Sequence, residues 1–252
     1  MTLAGRRIRK ETLHGLWSPH LKNRRDVDVY LPASYGGARR YPVVYMHDGQ
    51  NLSDPNAAFA GTWHLEDALD ELVEEHGIEP IVVGVHNTAR RLAEYSPFPD
   101  RRHRGGDGDA YLQFLRRTLK PRIDRMFRTR RGAGQTAIVG SSMGGLISLY
   151  GSLRYPETFG LAAAMSPSLW YGRDRLFEFV ESARTPRGRV YLDIGMGEGA
   201  GALRDARAMS TLLRTRGLEY GRTLMYLEDR RGRHDETSWG RRVAGALQFL
   251  LQ

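Results

Sequence analysis

Three residues in this chain have the types, order and surroundings that acyl-transfer chemistry needs: Ser142, Glu198 and His234. Gly140-Ser141-Ser142-Met143-Gly144 fits G-x-S-x-G, a pattern that sets a serine on a sharp strand-to-helix turn with its Oγ above a sheet. The glycines on either side let strand and helix approach closely. A frame centred on Ser141 fails, because Val139 and Met143 stand where glycines would be needed. The apolar run Thr136-Ala137-Ile138-Val139 and the segment Leu146-Ile147-Ser148-Leu149-Tyr150 supply the strand and helix that the motif requires as context. A serine hydroxyl is a poor nucleophile at neutral pH, so Ser142 needs a base downstream and oxyanion donors upstream.

The order serine, acid, histidine along the chain is met by Ser142, Glu198 and His234, each on a loop after an expected strand. Histidine suits the base because its unperturbed pKa of ~6.5 lets it take the serine proton and return it to the leaving group. Of the eight histidines, His234 alone lies beyond the acid candidates and the last expected strand. Asp193, Glu198, Asp205, Glu228 and Asp229 all lie between nucleophile and base. Glu198 ranks first, on a glycine-rich loop able to bend toward His234, whereas Asp193 sits inside a strand pattern and reads as structural. Two oxyanion donors are expected: the amide of Met143 and that of Gln50 or Gly49, in the loop His47-Asp48-Gly49-Gln50-Asn51. Asn51, Trp63 and Trp170 are the candidates for lining a substrate pocket. No metal is expected, since neither His47-Asp48 nor His234-Asp235-Glu236 has a zincin or three-ligand spacing. No phosphate-binding glycine loop appears, so no cofactor is expected either.

The elements that must position these residues are legible as alternating strands and helices. Residues 43–46 and 81–85 are continuous apolar runs, the pattern of strands buried on both faces, and 26–31, 136–139, 161–165, 190–194 and 223–227 add further strands. Residues 6–17 are expected to supply one more edge strand. Helical stripes run through Trp63 to Val73, capped by Thr62, through Leu112 to Ile123 with a break near Pro121, and through Ala202 to Leu213 and Trp239 to Leu250. The polar stretch 86–108 is long for a connection, as functional loops are. Such alternation specifies a mostly parallel sheet with helices on both faces, in one domain over 1–252.

The chain carries 38 Lys and Arg against 29 Asp and Glu, a net charge of +9, with lysine only at 10, 22 and 120. The arginines are scattered in short groups (24–25, 101–102, 128–131, 230–231, 241–242) rather than gathered on one tail or face. That pattern favours solubility or a preference for anionic esters over nucleic-acid binding. There is no cysteine, no apolar segment behind the basic N-terminus and no apolar run of ~18 residues. A soluble cytoplasmic protein without a membrane partner is expected, its oligomeric state left open.

Taken together, Asp28-Val29-Tyr30-Leu31-Pro32, Tyr45-Met46-His47-Asp48-Gly49-Gln50-Asn51, Arg91-Leu92-Ala93-Glu94-Tyr95, the Ser142 motif, Ser166-Pro167-Ser168-Leu169-Trp170 and His234-Asp235-Glu236-Thr237-Ser238-Trp239 resemble the putative esterase family of α/β-hydrolases. That family includes esterase D-like hydrolases, siderophore esterases, feruloyl esterases and mycolyltransferases. The resemblance implies an α/β-hydrolase fold, a nucleophile at Ser142, a base at His234 and an oxyanion donor near Gln50. Where relatives often carry Gly-Thr-x-Asp or Gly-Thr-x-Glu, this chain has Gly195-Met196-Gly197-Glu198. A carboxylate is kept, while siderophore-esterase relatives that work with a Ser-His dyad leave its role open. The expected activity is serine carboxylic-ester hydrolysis of small or medium acyl esters. The alternatives are an acyltransferase on the same site, a catalytically idle binding module and an arginine-driven nucleic-acid binder.

Overall fold

A computed structural model describes residues 8–54, 61–99, 105–184 and 188–252. Arg6 and Arg7 of the expected edge strand, and the Arg101-Arg102 group with the rest of 100–104, lie outside the described residues. The strands are β1 (Arg9–Ser18), β2 (Asn23–Leu31), β3 (Val43–His47), β4 (Ile81–Val85), β5 (Thr136–Ser141), β6 (Leu161–Met165), β7 (Arg189–Gly195) and β8 (Leu224–Asp229). They form one sheet in the order β1-β2-β4-β3-β5-β6-β7-β8. β1 with β2 and β2 with β4 pair antiparallel, and every later pairing is parallel.

The helices are α1 (Leu65–His76), α2 (Arg91–Glu94), α3 (Gly108–Phe114), α4 (Lys120–Met126), α5 (Met143–Arg154), α6 (Arg173–Ser182), α7 (Ala200–Thr215) and α8 (Glu236–Leu251). Successive side chains of a strand point to opposite faces, and β3 shows what that requires here. Val43 and Tyr45 join the core formed with α3, α5, α6 and α7, whereas Val44 and Met46 join the one formed with α1 and α8. A strand covered on both faces must be apolar at every position, which is why 43–46 has no polar residue. β8, at the sheet's margin, is only partly buried and leaves Leu227 exposed.

Two local expectations are corrected. Thr62 does not cap α1: His64, with φ 49°, is the flanking residue, and its N–H donates to Thr62 Oγ1 at 3.4 Å. Pro121 does not break its helix. A π-helical segment, Leu115–Leu119, joins α3 to α4 without interruption, and Pro121 is carried just past it as the second residue of α4. The short α2 and the half-exposed α6 were not foreseen; α2 organises the long loop after β4.

The chain leaves β3 for β4 on one side and returns to β5 on the other. Connections that diverge in this way open a crevice at the carboxyl ends of the parallel strands, the place where open α/β sheets bind ligands. The 3₁₀ turn Gly49–Asn51 enters that crevice pressed on β4: a Cβ added to Gly49 would lie 2.5 Å from the backbone C and O of Gly84. Gly49→Ala is therefore expected to cost about 1–3 kcal/mol, as overpacking does, measured as a lowered urea midpoint with an unchanged slope.

Candidate active site

At the end of β5 the backbone turns sharply at Ser142, whose φ of 56° and ψ of −122° are unfavourable for a residue with a side chain. Strain of this kind costs about 1–3 kcal/mol and persists only where neighbours over-determine it. Here the Ser142 N–H donates to Met165 O at 3.0 Å, and Ser142 O accepts from the amides of Ser168 and Leu146, each at 3.0 Å. Below the turn a Cβ on Gly140 would stand 2.7 Å from His47 Cδ2 and 2.8 Å from Gly144 C, so only glycine admits the packing of strand, helix and imidazole. His47 is buried, with Nδ1 2.8 Å from the Tyr111 hydroxyl. Burial pushes its imidazole down to about 3, so it stays neutral under the turn.

Above the sheet, Ser142 Oγ lies 2.9 Å from His234 Nε2, and His234 Nδ1 lies 2.6 Å from Glu198 Oε2. The three side chains come from loops after β5, β8 and β7, and the last two loops are tied by the Gly197 N–H donating to Gly232 O at 3.0 Å. Immediately after His234, the Asp235 carboxylate caps α8 by accepting the Ser238 N–H at 2.7 Å. The edge of the His234 ring meets Trp239, with centroids 5.0 Å apart. Burial alone would raise the Glu198 carboxyl, but hydrogen bonds from His234, Ser166 and the Gly195 amide outweigh it and hold the group below its ordinary value.

The other acids have different partners. Asp193 is fully buried and takes a fork of hydrogen bonds from Arg242, at 2.8 and 3.1 Å, the structural part expected of it. Burial pushes its carboxyl up to about 6, against the pull of Arg242. Glu228 is held by Arg207 at 2.7 and 2.8 Å. Asp229 accepts from Arg242 at 3.2 Å and from the Arg231 amide at 2.9 Å. Asp205 is buried within α7.

The cleft beside Ser142 has a volume of about 580 Å³, with Gln50, Asn51, Trp63, His234 and Trp239 among its lining residues. Met143 is the first residue of α5, and its N–H belongs to the helix-terminal donors that have no intrahelical partner. Gln50 sits in the turn after Asp48, whose φ of 55° is held by the Arg91 guanidinium at 2.7 and 2.8 Å and by Asn87 Nδ2 at 2.6 Å. The Asn51 amide donates to Glu236 at 3.3 Å, and the Trp63 ring packs 6.1 Å from Trp239. Trp170 is not brought to this wall: it is 57% exposed in the turn after Ser168, against Tyr171. Sequence reasoning missed Arg91 and Arg242 as supports. Arg242 lies three residues beyond Trp239 on the inward face of α8, and that spacing is the signal that could have found it. Among the described residues no group of three or more metal-ligating side chains occurs, and no helix is long and apolar enough to cross a membrane.

The family described as "Putative esterase" matches residues 18–250. The Bacillus subtilis protein YbbA is 32% identical over 194 residues, 74% of this chain and 74% of that protein. An endo-1,4-beta-xylanase/feruloyl esterase of Xylanibacter ruminicola is 26% identical over 205 residues, 75% of this chain but 26% of the longer relative. Among solved structures, the Shigella flexneri enterobactin esterase in the presence of enterobactin aligns with a TM-score of 0.78 at 20% identity, covering 95% of this chain and 58% of that one. A ferulic acid esterase aligns with a TM-score of 0.76 at 21% identity, covering 97% and 98%. The fold is thus that of the α/β-hydrolase esterases.

Because the folded protein keeps His47 neutral down to about pH 3 while an unfolded chain protonates it near 6.5, the unfolded state binds the extra proton between these values. His47 therefore contributes a loss of stability as pH falls through that window, roughly 1.4 kcal/mol per pH unit. Between pH 7 and pH 5 the raised Asp193 carboxyl acts in the opposite direction, equally in both proteins, so urea unfolding is expected to show the wild type losing more stability over this interval than His47→Gln does.

Proposed function

Since the chain belongs to the putative esterase family, we propose that it is a serine carboxylic-ester hydrolase working through an acyl-enzyme on small or medium acyl esters. The observation that carries this reading is the pair of short contacts at His234, 2.9 Å to Ser142 Oγ and 2.6 Å to Glu198. His234 Nε2 takes the Ser142 proton as Oγ attacks the ester carbonyl carbon. The carbonyl electrons move onto oxygen, where the amides of Met143 and Gln50 receive the negative charge. As the tetrahedral intermediate collapses, the bond to the alcohol oxygen breaks and the imidazolium gives that oxygen its proton. Water, deprotonated by the same nitrogen, then attacks the acyl-serine and frees the acid. Glu198 accepts the Nδ1–H throughout, holding the tautomer and stabilising the imidazolium. No cofactor, nucleic acid or membrane enters this scheme.

A specific observation favours water over an alcohol acceptor: the His234 side chain is 46% exposed, so the base is open to solvent. An acyltransferase must keep water from the acyl-serine. The cleft combines the Trp63 and Trp239 rings with hydrogen-bonding side chains such as Asn51, Asn87 and Arg91. That mixture suits acyl groups carrying polar substituents better than long alkyl chains, and relatives named for enterobactin and feruloyl esters point the same way.

Ser142→Ala is expected to lower kcat by roughly 10⁴- to 10⁶-fold with the fold intact, and an active-site phosphonate should label Ser142 alone. Retained activity, or labelling at another serine, would refute the mechanism. Glu198→Gln is expected to lose up to ~10⁴-fold in kcat, while Asp205→Asn and Glu228→Gln stay near wild type. A chromogenic ester panel should show rates falling with alkyl length, and added acceptor alcohol should leave free acid as the main product.

A further inference from the structure

Beneath Glu198 lies a buried hydroxyl, that of Ser166, which no step of the reaction above uses. Ser166 follows β6, is 1% exposed and holds an uncommon φ of 41°. Its backbone N–H is anchored on Asp193, 2.9 Å from Oδ1. Its Oγ meets three groups: Trp239 Nε1 at 3.0 Å, Arg242 Nη2 at 2.9 Å and Glu198 Oε1 at 2.6 Å.

The chemistry of these neighbours fixes the direction of every bond. An indole N–H and a guanidinium N–H only donate, so they occupy both acceptor sites of the Ser166 oxygen. The one hydroxyl proton is then left for Glu198 Oε1. That same carboxylate oxygen also accepts the Gly195 N–H at 2.8 Å. With Oε1 filled by two donors, Oε2 faces His234 Nδ1, 2.6 Å away. An ionised carboxylate only accepts, so Nδ1 carries the proton. Nε2 is then left with a bare lone pair for the Ser142 hydroxyl at 2.9 Å.

We propose that Ser166 is a positioning residue of the reaction: compelled by Trp239 and Arg242 to donate to Glu198, it sets the carboxylate orientation and, through it, the His234 tautomer that faces Ser142. This rests on the assignment of Ser142, His234 and Glu198 made above. Arg242 belongs to the same device, because its fork on buried Asp193 leaves Nη2 aimed at Ser166 Oγ.

The test compares Ser166→Gly, which tolerates the positive φ, and Ser166→Ala, which keeps the Cβ, with the wild type, each alone and combined with Glu198→Gln. Thermal unfolding is followed to confirm that each variant folds. Each single variant is expected to lose about 10- to 100-fold in kcat, the range for a hydrogen bond to a charged group, with KM within about twofold of wild type. A carboxylate that has lost a donor attracts the imidazolium more strongly, so the acid limb of kcat/KM should move to higher pH. Asp48, Arg91 and Glu236, the other charged groups of the cleft, are unchanged in these variants and act equally on both profiles. In the Glu198→Gln background either Ser166 substitution should cost no more than about twofold, since a residue acting through Glu198 has nothing left to position.

A single-variant kcat within twofold of wild type, an unmoved acid limb, or a loss that repeats in full on Glu198→Gln would overturn the proposal. A wild-type rate for Glu198→Gln itself would instead strike the assignment on which the proposal rests, so the two failures are told apart.

Discussion

The Asp193–Arg242 ion pair is withdrawn from water, with side-chain exposures of 0% and 5%. Burying two charges costs several kcal/mol per ion unless other hydrogen bonds complete their shells. Here they are completed by the groups that matter to the site. Asp193 also takes the Ser166 amide, and Arg242 also reaches Ser166 Oγ and Asp229. One pair of charges thus joins β7, the residue after β6, the end of β8 and the last helix. His234 lies between Asp229, which Arg242 holds, and Asp235, which caps α8 through the Ser238 amide, so its loop has a fixed start and a fixed finish. Replacing the pair with apolar side chains could preserve packing but would take from the Ser166 oxygen one of the two donors that direct its proton to Glu198.

On the other side of Ser142 the constraint is steric. The turn depends on glycine at 140 and on the His47 imidazole filling the space beneath it. A charged His47 could not rest there at neutral pH without a counter-charge, and burial keeps it neutral. The neighbouring Asp48 turn relies on the opposite device, an arginine drawn in from α2 to pin its carboxylate. Backbone strain at Ser142 and Asp48 is therefore held by two unrelated means, packing in one case and charge in the other.

Much of this was legible in the sequence because it rests on local pattern. Runs such as 81–85 and 161–165 reveal doubly covered strands, and G-x-S-x-G needs only five residues to announce a turn. Glu198 could be ranked first because a glycine-rich loop after a strand is a local feature, and it lies within hydrogen-bonding distance of His234. What was not legible depends on pairs far apart in the chain. Arg242 meets Asp193 across 49 residues and Ser166 across 76. Helical spacing can turn Arg242 inward beside Trp239, but it does not name these partners, since only sheet order decides that β6, β7 and α8 converge. Trp170 was misplaced for the same reason: an aromatic residue beside a Ser-Pro-Ser turn does not reveal which side of the turn it takes. Pro121 misled because its rule assumes an uninterrupted α-helix, and the π-helical segment before it altered the geometry.

The position of α8 has a consequence for how such a protein would lose its competence. The helix packs on α1 and carries both Arg242 and Trp239, whereas the sheet's hydrogen-bonded ladder needs neither. Sub-global openings release units of structure at less than the full unfolding free energy. Undocking of α8 alone would withdraw the donors from Ser166 and free the His234 loop while all eight strands stayed paired. Inactivation by heat or denaturant would then run ahead of the loss of sheet signal, and reversibly so, because the template onto which the helix re-docks would never have been dismantled.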